Sequence, residues 1–181
     1  CLSTRQFEDE SLAPVQEIRI RRGRDIAIPG MPRQIVREAG VVHTAAIMGH
    51  DFPGIRPDFT VEPGDRVKAG QTVFVDRRRP RIAFSAPVSG VVEAINWGQR
   101  RALDSLIIRI DGEETERFDI PEAGNGETLR DVLLASGLWT SFLTRPFGRI
   151  PDPDASPGAI FVTAIDTAPL AADPRVAIGL E

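Results

Sequence analysis

This chain is poor in cysteine and histidine, the side chains most used in redox, metal and nucleophilic chemistry. The 181 residues include one cysteine, Cys1, and two histidines, His43 and His50. A single cysteine excludes an internal disulfide framework and any cysteine-ligated cluster held by these residues alone. No third ligand is clustered with the two histidines, so surface or packing histidines are favoured over a shared metal ion. We therefore predict no catalytic, cofactor-binding or metal-binding residue.

The densest charge in the sequence is an arginine cluster between two apolar runs. Arg77, Arg78, Arg79 and Arg81 follow Val73-Phe74-Val75 directly after Asp76. Two strand-like runs separated by a short charged segment predict an exposed hairpin. Single surface charges add little to stability, but grouped charges can steer and orient an acidic partner. We predict that these four arginines form a docking surface; a solvated turn is the alternative.

The elements around this hairpin are short strands. Runs of Val, Ile and Phe between residues 61 and 110 are each interrupted by Gly or Pro, as in a small β-barrel. Pro63-Gly64 and Ala69-Gly70 mark two turns, where glycine can adopt a positive φ. We predict a barrel domain over residues 61–112, with residues 17–60 adding strands around it and residues 1–16 forming a flexible extension.

The barrel sequence resembles the biotinyl/lipoyl-carrier fold, the barrel-sandwich hybrid. The similarity lies in GDRVKAGQTVFV, from Gly64, and SAPVSGVVEAI, from Ser85, on either side of the hairpin. Such a carrier needs a lysine at the hairpin tip, because the prosthetic acid is joined through an amide. The one lysine, Lys68, precedes the strand, and an arginine guanidinium is not a practical acyl acceptor. The resemblance therefore implies a structural or docking module.

The rest of the chain changes from strand to helix patterns. Over residues 113–181 we predict a helix with its N-cap at Thr128 and one largely apolar face, marked by Leu129, Val132, Leu133 and Ser136. The apolar run at 159–166 is typical of a strand buried in a parallel sheet. Asp166 and Thr167 stand where such a sheet binds ligands, although loop capping is the alternative role. The predicted fold is mixed α/β: a β-rich barrel-sandwich hybrid followed by the start of a Rossmann-like domain.

Charge and hydropathy exclude some classes of partner. The formal net charge of −4 argues against general nucleic-acid binding, which usually needs a basic protein. No apolar run approaches the roughly 20 residues of a membrane span, and the sequence shows no signal-peptide core. We therefore expect any contact with a membrane to be made through partner proteins.

Five stretches in the same order resemble one family, the A subunit of the bacterial Na⁺-translocating NADH:quinone reductase. They are IRIRRGRDIAIPG, GIRPDFTVEPGDRVKAGQTVFVD, FSAPVSGVVEAI, SGLWTSFLTRPFGRIP and AIFVTAIDTAPLAADP. The resemblance covers residues 17 to 179, and the last two stretches are the most specific. Members of this family are much longer, which agrees with an α/β domain that only begins here.

The resemblance implies a peripheral subunit on the cytoplasmic face of the bacterial inner membrane. It also implies partners, the other subunits of a complex that uses NADH, flavins, iron–sulfur centres and ubiquinone. The A subunit itself is expected to carry no cofactor, to have no activity alone, and to contribute to assembly and quinone reduction. The alternatives are an Rnf-type electron-transfer subunit, which would need cluster cysteines beyond Glu181, and a non-catalytic biotinyl/lipoyl-like scaffold.

Overall fold

The computed structural model describes residues 28–120, 126–162, 170–177 and 179. The predicted extension at 1–16, the first part (17–27) of the region expected to add strands, and Asp166 and Thr167 lie outside the described residues. The chain divides into two compact units. One consists of residues 38–160 and the other of residues 1–37 with 161–181.

The larger unit is built on seven strands in two antiparallel sheets. The first sheet has the order β1-β7-β6-β3 and the second the order β2-β4-β5. The strands are β1 (Thr44–Met48), β2 (Pro57–Phe59), β3 (Arg66–Val67), β4 (Thr72–Asp76), β5 (Arg79–Ser85), β6 (Gly90–Trp97) and β7 (Leu103–Ile110). Short 3₁₀ helices at Gly49–Asp51 and Gln99–Arg101 occupy two of the connections.

The core lies between the two sheets and is dense in aromatic rings. Phe74 on β4 is fully buried and stacks on Phe84 of β5, with 4.5 Å between the ring centroids. Phe59 on β2 packs against Phe74 at 5.1 Å. From the other sheet, β7 contributes the fully buried Leu106 and Ile108. Burial of these apolar side chains is the main stabilising contribution to the unit.

The C-terminal part of the larger unit is helical. Helix α1 (Gly126–Ala135) is followed by a 3₁₀ helix, Leu138–Ser141. The helix begins two residues before the predicted N-cap, so Thr128 lies within its first turn. Its most buried side chain is Leu134, whereas Leu129, predicted on the apolar face, is 46% exposed. The prediction of the helix was right, but the predicted cap and part of the predicted face were wrong.

Two further segments belong to the expected α/β part. Residues 159–162, the start of the strand predicted at 159–166, are in no strand, and Phe161 is 90% exposed. In the smaller unit, α2 (Pro174–Ala177) is a single short turn of helix. In the described part of the chain, no helix combines the length and apolarity needed to span a bilayer.

Substitution of Phe74 by Ala should test the core. Phe74 is 0% exposed, so the truncation leaves a cavity between the sheets. We expect the free energy of unfolding to fall by about 3–5 kcal/mol, measured by urea denaturation. The matched control is Phe147→Ala, at a side chain that is 78% exposed and should lose less than about 0.5 kcal/mol. Equal losses from the two variants would contradict this description of the core.

Candidate functional site

The hairpin between β4 and β5 is organised by a buried carboxylate. Asp76 ends β4, is 1% exposed, and precedes the turn formed by Arg77 and Arg78. Its Oδ1 accepts hydrogen bonds from the backbone N–H groups of Arg56 (3.3 Å) and Arg78 (3.2 Å). Its Oδ2 accepts one from Nε of Arg79, at 3.0 Å. A buried carboxylate needs such partners, because an unpaired charge away from water is costly.

Arg79 extends this network to a distant segment. Besides its bond to Asp76, its guanidinium donates a hydrogen bond to the carbonyl oxygen of Ile150, at 2.9 Å. Its side chain is only 30% exposed. Arg79 was predicted as a docking residue, but in the structure it joins the hairpin to the segment after the 3₁₀ helix.

Arg81 also has intramolecular partners. Its guanidinium donates to the carboxylates of Asp154, at 2.7 Å, and of Asp131 on α1, at 3.2 Å. All three side chains are at least half exposed, so solvent screens these ion pairs. Arg81 therefore links β5 to α1 and to the loop that follows the 3₁₀ helix.

The two arginines of the turn itself remain the most accessible. Arg77 donates to the exposed carboxylate of Asp58, at 3.1 Å. The guanidinium of Arg78 is exposed and has no hydrogen-bond or ion-pair partner within the described residues. The four predicted docking arginines thus have different surroundings, and Arg77 and Arg78 are the pair that a partner could reach. Their docking role stays a prediction.

The helical segment is fixed to β5 by a close backbone approach. The hydroxyl of Ser85 donates a hydrogen bond to the carbonyl oxygen of Ser136, at 2.9 Å. Gly137 follows with φ of 80°, and a Cβ there would lie 2.6 Å from the Ser85 hydroxyl oxygen. Glycine is therefore required at this position both for its left-handed conformation and for space.

Trp139 and Arg130 form hydrogen bonds with the segment 151–153, which lies after the 3₁₀ helix Leu138–Ser141 in the chain. The indole N–H of Trp139, a buried side chain, donates to the carbonyl oxygen of Pro151 at 3.1 Å. Arg130 donates to the carbonyl oxygen of Pro153 at 2.9 Å, and its guanidinium lies 5.9 Å from the centre of the Trp139 ring. These bonds hold residues 151–153 against α1 and the 3₁₀ helix, and the bond from Arg79 to Ile150 joins the same segment to the hairpin.

A cleft of about 610 Å³ opens between the hairpin, the loop after β1 and the segment that follows the 3₁₀ helix Leu138–Ser141. Its walls combine apolar side chains with hydrogen-bond donors, a mixture that is common in sites for small molecules. The lining includes the apolar residues Phe52, Ile55, Leu143 and Ile150 and the cationic residues Arg78 and Arg149. The sequence analysis missed this cleft, because its walls are separated by up to about a hundred residues in the chain.

The remaining candidate residues do not form a site in the described part of the chain. His50 lies 3.3 Å from the carboxylate of Asp51, and both side chains are exposed. Among the described residues, no three His, Cys, Asp or Glu side chains cluster as metal ligands would. Asp173 caps α2: the side chain and backbone N–H of Arg175 donate to its carboxylate and lower its pKa.

The fold defines a class, the barrel-sandwich hybrid domains, here with arginines at the hairpin tip where a carrier domain has lysine. Residues 18–111 match the family model of the NqrA N-terminal barrel-sandwich hybrid domain, and residues 125–181 match that of the NqrA second alpha/beta domain. The chain belongs to the NqrA family. This confirms the predicted family and the predicted fold class.

Curated relatives agree with this assignment. The chain is 48% identical over 166 residues to a protein of Pseudomonas aeruginosa strain UCBPP-PA14 named as the A subunit of a Na(+)-translocating NADH-quinone reductase. Proteins of the same name from Saccharophagus degradans and Actinobacillus succinogenes are 44% and 45% identical over 168 and 166 residues. These alignments cover 89%, 90% and 89% of this chain but 37%, 37% and 38% of the relatives, in that order. The chain therefore spans little more than a third of their length.

Removal of the Asp76 carboxylate should destabilise the hairpin end of the barrel. Asp76→Ala leaves two backbone N–H groups and one guanidinium without their acceptor. We expect the free energy of unfolding to fall by roughly 2–4 kcal/mol. The matched control, Asp58→Ala, removes a carboxylate from an exposed ion pair and should cost less than about 1 kcal/mol.

Urea denaturation of the two variants, compared with the unaltered protein, gives both numbers. If Asp76→Ala is no more destabilising than Asp58→Ala, the buried network does not hold this end of the barrel.

Proposed function

We propose that this chain is part of the A subunit of a Na⁺-translocating NADH:quinone reductase. The observation that supports this most strongly is the match to two consecutive domains of one family, over residues 18–111 and 125–181. The names of the curated relatives agree with it. Under this proposal the protein works within a larger complex, peripheral to the cytoplasmic face of the inner membrane, and the chain alone has no activity.

We propose further that electrons do not pass through a centre held by these residues. One cysteine among 181 residues cannot supply the thiolates of an iron–sulfur cluster. The sequence also has no Gly-rich dinucleotide-binding fingerprint after a strand. NADH, flavins and iron–sulfur centres then belong to the partner subunits, while this subunit contributes to assembly and to the reaction with ubiquinone.

The cleft beside the hairpin is the part of the chain that we propose contacts the quinone. A quinone is a flat ring with two carbonyl oxygens that accept hydrogen bonds. The cleft offers apolar side chains, Phe52 and Ile55, to pack against the ring, and the guanidinium of Arg78 as a donor. Because the Arg78 guanidinium has no hydrogen-bond partner among the described residues, a bound carbonyl would replace water and would not compete with another protein group.

The exposed turn of the hairpin is the second element of the proposal. Arg77 and Arg78 lie at the tip of a hairpin whose backbone and whose Arg79 side chain are hydrogen-bonded to the buried Asp76. A pair of exposed cations at such a tip can orient an acidic surface of a partner subunit. The partner surface would then be acidic and would lie against the same end of the barrel as the cleft.

Charge reversal at the turn tests the docking proposal. Arg77→Glu with Arg78→Glu, in the full-length subunit, should leave thermal melting almost unchanged because both side chains are exposed. The yield of assembled membrane complex that contains the subunit should fall by tenfold or so, as like charges meet at the interface. Arg109→Glu with Arg117→Glu, two exposed arginines with the same change of charge, is the control. Normal assembly of the first variant would exclude docking through the turn.

Kinetics of the assembled complex test the cleft. Arg78→Ala should raise the KM for ubiquinone by about tenfold or more, because a hydrogen bond from a charged donor is lost. Arg77→Ala, at a neighbour that does not line the cleft, is the control. NADH oxidation with an artificial electron acceptor should be unchanged in both variants. An unaltered KM in Arg78→Ala would show that the quinone does not bind in this cleft. It would not contradict the proposal that the chain belongs to the complex.

A further inference from the structure

A narrow loop projects from the larger unit just after the 3₁₀ helix. All nine residues from Ser141 to Arg149 are exposed. The loop is closed at its base by the backbone N–H and the hydroxyl of Thr144, which donate to the carbonyl oxygen of Arg149 at 2.8 and 3.0 Å. Within it, the N–H of Gly148 donates to the carbonyl oxygen of Thr144 at 2.8 Å. Hydrogen bonds thus close the loop backbone, and its side chains are exposed, although Phe142 also packs against Trp139 with 5.4 Å between the ring centroids.

This projecting loop carries large apolar side chains in water. Phe147 is 78% exposed and Leu143 is 63% exposed, and Phe142 beside them is 37% exposed. Exposed apolar residues are common singly, but several on one short segment mark a surface that is covered in function. The Arg149 guanidinium lies 6.0 Å from the centre of the Phe147 ring, so apolar and cationic groups are adjacent.

The charge of the projecting loop differs from that of the whole chain. Between Leu138 and Ile150 there are two arginines, Arg145 and Arg149, and no acidic residue, whereas the chain has a net charge of −4. Neither guanidinium has a hydrogen-bond or ion-pair partner in the part of the chain that the structure describes. Basic side chains flanking exposed Phe and Leu are typical of segments that bind at the surface of an anionic bilayer.

We propose that the projecting loop, residues 141–149, binds directly to a membrane surface that contains anionic lipid. Leu143 and Phe147 would enter the headgroup region, and Arg145 and Arg149 would pair with lipid phosphates. A bilayer is favoured over an acidic protein because the loop pairs two exposed apolar side chains with two cations and carries no acidic residue. A stable protein interface needs a packed patch of about 800 Å² on each partner, whereas a bilayer accommodates a few apolar and cationic side chains.

This proposal differs from the expectation that membrane contact is made only through partners. It depends on the exposure and charge of the loop and not on quinone binding in the cleft. Because Leu143 and Arg149 also line the cleft, the two features would nonetheless lie side by side. A membrane-soluble substrate would then enter beside a segment that is already at the bilayer.

Vesicle sedimentation of the full-length protein, without other subunits and without quinone, tests the proposal. The vesicles are phosphatidylcholine alone and phosphatidylcholine with phosphatidylglycerol, each at low and high salt. We expect binding to the anionic vesicles at low salt and its loss at high salt. Arg145→Glu with Arg149→Glu should weaken binding by on the order of twentyfold, and Leu143→Ala with Phe147→Ala should weaken it at both salt concentrations.

Matched controls separate the loop from general effects. Arg109→Glu with Arg117→Glu makes the same change of charge elsewhere, and Ile120→Ala removes an apolar side chain that is 84% exposed. Both should bind like the unaltered protein, and all variants should melt at the same temperature. Absence of binding to anionic vesicles, or loop variants that bind as well as the controls, would overturn the proposal. Loss of assembly with unchanged vesicle binding would assign the loop to a protein partner instead.

Discussion

The hydrogen bonds to the buried carboxylate of Asp76 are the interaction on which the hairpin end of the barrel depends. They join the β4–β5 hairpin to the loop before β2 through the N–H of Arg56, and to Ile150 through Arg79. A buried charge of this kind holds its geometry closely, because any arrangement that leaves it unpaired is expensive. The cleft has a defined shape because these three segments are its walls.

The helical segment is attached to the barrel largely by side chains that donate to backbone carbonyl groups. Ser85 and Arg79 each make one such bond, to the carbonyl oxygens of Ser136 and Ile150. Only a few apolar side chains, Leu134 and Trp139 among them, are buried there. Directional bonds therefore set the position of the segment, and Gly137 allows the close approach to β5. This leaves Leu143 and Phe147 in solvent, where they are available to a partner or a membrane.

The hairpin illustrates how one fold supports different functions. In a carrier domain its tip presents a lysine for attachment of a prosthetic group, which then moves between active sites. Here the tip presents Arg77 and Arg78, and the residues on either side, Asp76 and Arg79, fasten the hairpin to the rest of the unit. The hairpin that carries a mobile prosthetic group in a carrier domain thus forms one wall of the cleft in this chain.

The sequence by itself determined the barrel, the family and the absence of a tip lysine, because these depend on local patterns. Short β-branched and aromatic runs ended by Gly or Pro specify strands and turns wherever the rest of the chain lies. Only the tertiary structure decided the roles of the hairpin residues. Asp76 meets Arg56, 20 positions away, and Arg79 meets Ile150, 71 positions away. Four arginines within five positions look equivalent in a sequence, and they become different only when folding places a buried carboxylate beside one and leaves another in solvent.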